Sequence, residues 1–528
     1  MFTYQGNRRA TPSRRRSRWF LAGGVVAGSL VVGAAGVTGV AALAADRAPG
    51  IFDQVQAAAA VGDDSPDEGA PGGPRQPEGG TDGASAPDGA GTPDRAGAPE
   101  GANAPDGKPD GPGTHRPPLL TVPCDSARLV AALVQANAEG GATVRLAPKC
   151  TYTLSHAFQQ PDEYDGGIRD AREAADAAET PGDAELPPRQ PGDDNTGLPV
   201  IYQAITVEGS GATIARGENA ETFRFFTVRD GGELTLRDVT LRNGRSTSEG
   251  GSVHVVHGAT AVLERTTVVG STSVSPKEGG GGVFNDGNMV VRDSRFVGNS
   301  AAGVEGKGGG MLNGGVLTMS KTEFRDNSAS GYGGGLANYR GAADVATTVL
   351  THNVAGQGGG LASFSARTKV EDTRVVDNTA KVGGGIANSD AVLVLRGLVV
   401  QGNTASGNGG GISSVQGLLP MDDSVVTGNH ARGVGGGIFA DRSNTLVRTS
   451  EVSGNAAVGA KSTGGGVHAV AGQLSLFKSK VVDDSATLSP GGIFADRAQV
   501  RIDDASVVIE SRPTNCVGSK ATIAHCFR

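Results

Sequence analysis

The feature that most restricts what this chain can fold into is a glycine run that returns at a nearly fixed interval. The last glycine of each run falls at Gly282, Gly310, Gly335, Gly360, Gly385, Gly411, Gly437, Gly466 and Gly492, with successive separations of 28, 25, 25, 25, 26, 26, 29 and 26 residues. An asparagine keeps step with it at Asn299, Asn327, Asn353, Asn378, Asn403, Asn429 and Asn455, and Asp484 takes the eighth place. Self-similarity at this period means a stacked repeat, in which no single unit buries its own apolar face and neighbours must cover one another.

Counting back from the asparagine exposes the core. Three residues before it stand Phe296, Phe324, Leu350, Val375, Val400, Val426, Val452 and Val481, and eight before it stand Val291, Met319, Val345, Val370, Leu395, Met421, Val447 and Leu476. Five before it the column is small and mostly hydroxylated, from Ser294 and Thr322 to Ser479, with Leu398 interrupting. Within a repeat the apolar positions alternate two apart, and then the phase slips by one. That pattern marks short strands joined at corners, with every second side chain turned inward. No stretch offers helical spacing long enough for a helical solenoid.

About 25 residues suit one turn of a three-sided coil, and stacked coils pair strand on strand every ~4.8 Å, so like residues lie above like. Glycine runs allow tight corners with positive φ, and the asparagines can bond along the stack at another corner, forming a structural ladder. The expected fold is therefore all-β, a right-handed parallel β-helix (solenoid) over residues 122–528. Its first end is expected to be capped by a helix: Asp125 and Ser126 can cap a segment whose Leu129, Ala132, Leu133 and Ala136 share a face, and Gly140-Gly141 stop it. Cys124 and Cys150 bracket one short segment and Cys516 and Cys526 another, predicting two local disulfides in an oxidising compartment.

The repeats GGGVFN, GGGMLN, GGGLAN and GGGIAN, each followed by RFVGN, EFRDN or VVDN, resemble the paired GGAI and FxxN repeats of chlamydial polymorphic outer membrane proteins. They resemble still more closely the exported right-handed β-helix repeat proteins of actinobacteria, whose folded part opens like VPCDSARLVAALVQAN followed by CTYTL. The resemblance spans roughly residues 122–528 and implies the pectin-lyase-like fold. It implies no particular activity, because that superfamily holds lyases, glycoside hydrolases, adhesins and proteins without known activity. The chlamydial proteins' C-terminal membrane barrel has no counterpart here.

The remaining sequence is of different character. Residues 1–20 hold six arginines and no acid, and residues 19–45 carry no charge, which predicts an export or anchoring segment over 1–45. Ala42-Leu43-Ala44 suits signal cleavage, whereas the length of the uncharged stretch exceeds the ~20 residues that span a bilayer. Either outcome puts the C-terminal mass outside, extracellular or at the cell surface, with membrane contact only through residues 19–45 if they are retained. Residues 46–121 form a Gly-, Pro- and Asp-rich linker that lacks the apolar surface to fold. Residues 159–196 read as an acidic inserted loop. A net charge of -8, from 47 basic and 55 acidic residues, offers no basic field for nucleic acid.

Candidate chemistry is sparse. The position just before the ladder asparagine reads Asp326, His352 and Asp377 in three successive coils, so stacking sets two carboxylates beside a histidine, a weak candidate for acid-base work or cation binding. The pairs Asp422-Asp423, Asp483-Asp484 and Asp503-Asp504 read as solvated corner charge, since adjacent strand residues point to opposite faces. His254 and His257 are expected to be structural, and His430, His468 and His525 to stand alone. Phe284, Phe439 and Phe494 are expected to point outward in separated coils, without a continuous aromatic strip. No metal set or cofactor is called for, a calcium ion entering only under a lyase reading. The favoured function is an exported, non-catalytic surface protein that binds an extracellular glycan or protein, adhesin-like or structural. The rival is a polysaccharide lyase or glycoside hydrolase acting on the outer face.

Overall fold

A computed structural model of the protein describes residues 117–159 and 195–526. The leader, all but the end of the linker and the body of the acidic insertion lie outside the described residues. Among the described residues no helix is long and apolar enough to cross a membrane.

The chain winds into a parallel β-solenoid of about 14 turns. One coil shows how the sequence does this. Met311–Asn313, Val316–Ser320, Glu323–Arg325 and Ser328–Ala329 are successive short strands. The first three pair in parallel with Leu336–Tyr339, Ala342–Ala346 and Val349–Thr351 of the next coil, and Ser328 pairs with Val354. A fourth strand of about two residues thus adds to the three expected sides, and these fourth strands form a ten-stranded sheet of their own.

The inward columns coincide with those counted from the asparagine. Phe324 pairs with Leu350 and Leu350 with Val375, and all three are buried. Phe296 and Phe324 stack with ring centroids 4.7 Å apart and planes at 7°. Each buried Val, Leu or Ile contributes roughly 1.5–3 kcal/mol, so continuous columns build a core that one coil could not.

Polar ladders run beside the apolar ones. Asn327 donates its backbone N–H and its Nδ2 to Oδ1 of Asn353 at 3.0 Å each, and Nδ2 also reaches the Phe296 carbonyl at 2.9 Å. The same arrangement holds from Asn299 to Asn455, and every member is buried. A hydroxyl ladder follows the small column, with Ser424 N–H donating to Ser450 Oγ at 3.0 Å and Ser479 N–H to Ser506 Oγ at 2.9 Å. A second amide ladder, not foreseen from the sequence, joins Asn285 to Asn313 at 2.7 Å and Asn313 to Asn338 at 2.8 Å. These bonds satisfy amides that burial would otherwise leave costly.

The corners explain the glycines. Gly308 has φ +64, and a Cβ there would run into the Met311 carbonyl oxygen. At the start of the solenoid, β1 (Leu119–Val122) pairs with β2 (Ala142–Leu146), which pairs with β4 (Ala204–Arg216); β3 (Thr151–Leu154) pairs with β4 as well. The first strand of the described residues begins at Leu119. Helix α1 (Ser126–Ala138) starts where Asp125 accepts hydrogen bonds from the Ala127 and Arg128 amides, and it buries Leu129, Ala132, Leu133 and Ala136 against the first coils. Disulfides join Cys124 to Cys150 and Cys516 to Cys526, with Cα atoms 5.7 and 6.2 Å apart.

Candidate functional site

Asp326, His352 and Asp377 stand in one exposed column, each just outside a strand that pairs with the next. Their φ angles are 57°, 54° and 54°. The same left-handed conformation recurs down the column at Gly298, Gly402, Gly428, Gly454 and Asp483. Asp, His and Gly are residues this conformation tolerates, so the corner itself accounts for their selection. Locally, Asp326 accepts from Arg325 at 3.2 Å and His352 Nδ1 lies 2.8 Å from Thr351 Oγ1.

Three expectations are corrected. Asp484 is not solvated charge: it is fully buried at the end of the asparagine ladder, and Oδ1 accepts from Asn455 N and Nδ2 at 2.8 and 2.9 Å. Burial holds its carboxyl well above the usual carboxylate range. Asp422 is held by Arg448 at 2.6 and 2.8 Å, and Asp503 accepts from the Lys478 amide and Ser506 Oγ. His468 does not stand alone, and the aromatics do form a strip. In successive coils Phe439, His468 and Phe494 pair in register, with centroids 5.9 and 4.5 Å apart. Burial pushes His468 down to about 4. His525, likewise, lies 3.2 Å from Asp504.

The richer chemistry sits on the outer face that follows the glycine corners, among residues the sequence reading left aside. In four successive coils the residue preceding the run lies in a parallel bridge with its counterpart, Lys307 with Tyr332, Tyr332 with Gln357 and Gln357 with Val382. Across the strand, Tyr339 pairs with Phe364 and Phe364 with Ser389. The result is a cluster of three half-buried rings. Tyr339 and Phe364 stack at 5.1 Å and 16°, and Tyr332 meets Phe364 at 5.5 Å and 60°.

Cations close one end of this cluster. Lys307 Nζ lies 4.8 Å and Arg340 Cζ 5.1 Å from the Tyr339 centroid. The Lys307 side chain is 5% exposed, donates to the Lys277 carbonyl and lies 3.9 Å from Glu278 Oε2. Burial pushes the Lys307 ammonium down and the Glu278 carboxyl up, each partly offset by the other's charge. Burial also raises the Tyr332 phenol. Such an arrangement offers aromatic faces for apolar sugar surface and polar groups at fixed places around them. Among the described residues no group of three or more His, Cys, Asp or Glu side chains could hold a metal ion.

No family model and no curated protein matches the chain. Among solved structures it is similar to the A-module of Azotobacter vinelandii mannuronan C-5 epimerase AlgE4, at 16% identity and a TM-score of 0.37, over 73% of this chain and 95% of that one. The periplasmic alginate epimerase AlgG gives 12% identity and a TM-score of 0.33, over 58% of this chain and 78% of that one. Tailspike protein 3 of bacteriophage CBA120 gives 12% and 0.26, over 75% of this chain and 60% of that one. At these values no ligand or reaction is carried over. The chain's own strand registers make it a parallel β-helix protein with an aromatic and cationic cluster on one outer face.

Proposed function

We propose that this protein is an exported, non-catalytic, glycan-binding β-helix, and that a sugar ring stacks on Phe364. The observation that carries this reading is the step beside that ring: Tyr339 backs it on one side, and on the other its column neighbour is the small Ser389. A half-buried aromatic face above a small residue, edged by Tyr332, suits the apolar face of a sugar. Two disulfides support an oxidising compartment, and the basic, then uncharged, leader supports export.

Immobilised full-length protein screened against a panel of polysaccharides tests the reading. Retention of at least one glycan is expected, with a loss of about five- to tenfold in affinity for Phe364→Ala. No retention by the parent protein ends it. The pairing of buried Lys307 with the partly exposed Glu278 favours a second reading, a polysaccharide lyase or glycoside hydrolase, because displaced proton affinities often accompany catalysis. Release of unsaturated or reducing-end products from pectin, alginate or cell-wall glycans would establish that second reading in place of the first.

A further inference from the structure

The length of the corner before each glycine run varies, and the variation is not scattered. Six residues separate Ala301 from Gly308 and six separate Ala457 from Gly464. In the five coils between, the corresponding stretches have only three, two, two, three and three residues, before Gly333, Gly358, Gly383, Gly409 and Gly435. The long corners project: Val304 is 87% and Val458 58% exposed. The coils of Met311 and Val467 are linked by consecutive pairings through Leu336, Leu361, Ile386, Ile412 and Ile438. Six steps of ~4.8 Å put the two ridges about 29 Å apart along the axis.

Three rows run between the ridges, and they carry no charge until Asp441, which follows Val415 in register at one end. One rim consists of Tyr332, Gln357, Val382, Asn408 and Val434, all half-buried. The row across the strand, Tyr339, Phe364, Ser389 and Val415, is half-buried as well. The row between them is small and buried: Ala337, Ala362, Ala387 and Ser413. Lys381, beside Val382 in the strand Thr379–Val382, points to the opposite side, as strand neighbours do. Charge gathers at the two ends, with Lys307, Glu278 and Arg340 at one and Arg432, Asp441 and Arg442 at the other. In the middle, the residue following Ser389 is Asp390, an exposed carboxylate that accepts from Ser365 Oγ at 3.4 Å. A polyanion laid along this face would meet no cation until its ends and one repelling carboxylate midway.

We infer that the face between the two long corners binds an uncharged linear glycan running along the solenoid axis. This rests on the glycan-binding reading and adds to it the ligand's charge, its shape and its direction. Three continuous rows along the axis match a chain rather than a single sugar, and the absence of charge along them selects against uronates.

The test titrates the full-length protein with linear cello-, xylo-, manno- and N-acetylated chito-oligosaccharides of increasing length, beside oligogalacturonates and alginate oligomers. At least one neutral series is expected to bind, about tenfold more tightly as hexamer than as dimer, with a change of less than about twofold between low and high salt. Val382→Arg and Ser389→Trp, on opposite rows, should each cut that affinity about tenfold or more at an unchanged thermal midpoint. Binding of acidic oligomers alone, or affinity that collapses with salt, overturns the inference while the glycan reading stands. Neutral binding indifferent to length, or to both substitutions, overturns the placement. Retention of no glycan removes the reading beneath it.

Discussion

Asp484→Asn should stabilise the protein, and by an amount that grows with pH. Each ladder asparagine from Asn299 to Asn455 donates Nδ2 to a carbonyl one coil back, Asn455 to Val426 at 2.9 Å and Asn429 to Val400 at 2.9 Å. Asp484 breaks the series: its Oδ1 is satisfied by Asn455, and its Oδ2 is buried without a partner. By the same geometry an amide at 484 faces the Val452 carbonyl. Gaining that bond and removing an unsatisfied buried oxygen is worth about 1–3 kcal/mol. The carboxyl adds a proton linkage, because burial raises its pKa in the native state, with Asp483 and Glu451 adding to the effect.

The sign follows from which state binds the proton. Above pH ~4 the unfolded chain has released it and the native state keeps it, so wild-type stability falls by up to about 1.4 kcal/mol per pH unit until the native pKa is passed. The stabilisation is fully present below pH ~4 and is lost as pH rises. Asn has no such slope. Urea unfolding of both proteins at pH 4 and pH 6 should show the variant ahead by about 1–3 kcal/mol at the lower pH and further ahead at the higher. Equal gaps at the two pH values, or a destabilised variant, would refute the reasoning.

His468 works in the opposite direction. With its native pKa near 4, it should make the protein lose about 3 kcal/mol as pH falls from ~6.5 to ~4, and His468→Phe should flatten that acid limb of a thermal-midpoint profile while extending the Phe439–Phe494 stack. Full reduction should lower the thermal midpoint, each disulfide being worth on the order of 3 kcal/mol. An unchanged midpoint counts against closure of the solenoid ends by the Cys124–Cys150 and Cys516–Cys526 segments. His352→Gly should be neutral to about 1 kcal/mol stabilising and His352→Val destabilising by about 1–2 kcal/mol, since the site is a left-handed corner. Loss of a measured glycan-directed activity in His352→Gly at unchanged stability would instead give the Asp326–His352–Asp377 column a chemical role.

The columns could be read from sequence because their chemistry is uniform. Phe296, Phe324, Leu350 and Val375 are all apolar, Asn299 to Asn455 are all amides, and the period between them is fixed. Where one column mixes residue types, the signal vanishes. The second amide ladder alternates Asn338, Ser363, Asn388 and Ser414, and the stack Phe439–His468–Phe494 hides a histidine between phenylalanines. The binding face was harder still. Lys307, Tyr332, Gln357 and Val382 share no property except their place before a glycine run, so only their bridges reveal them as a row. The Asp326–His352–Asp377 column drew notice by residue type, whereas its backbone conformation is the simpler reason for those residues.

The solenoid and its outer face both require side chains one coil apart to lie one strand spacing apart along a single axis. Spin labels attached through introduced cysteines test this directly, and all four native cysteines are occupied in disulfides. The column from Asn288 runs by consecutive pairings through Val316, Ala342, Arg367, Val392, Leu418, Asn444 and Gln473 to Gln499. Dipolar distances from Asn288→Cys should be about 29 Å to Asn444→Cys, six coils on, and about 38 Å to Gln499→Cys, eight coils on. Distances that fail to grow with coil number at ~4.8 Å per step would contradict the stacked solenoid and the binding face built on it.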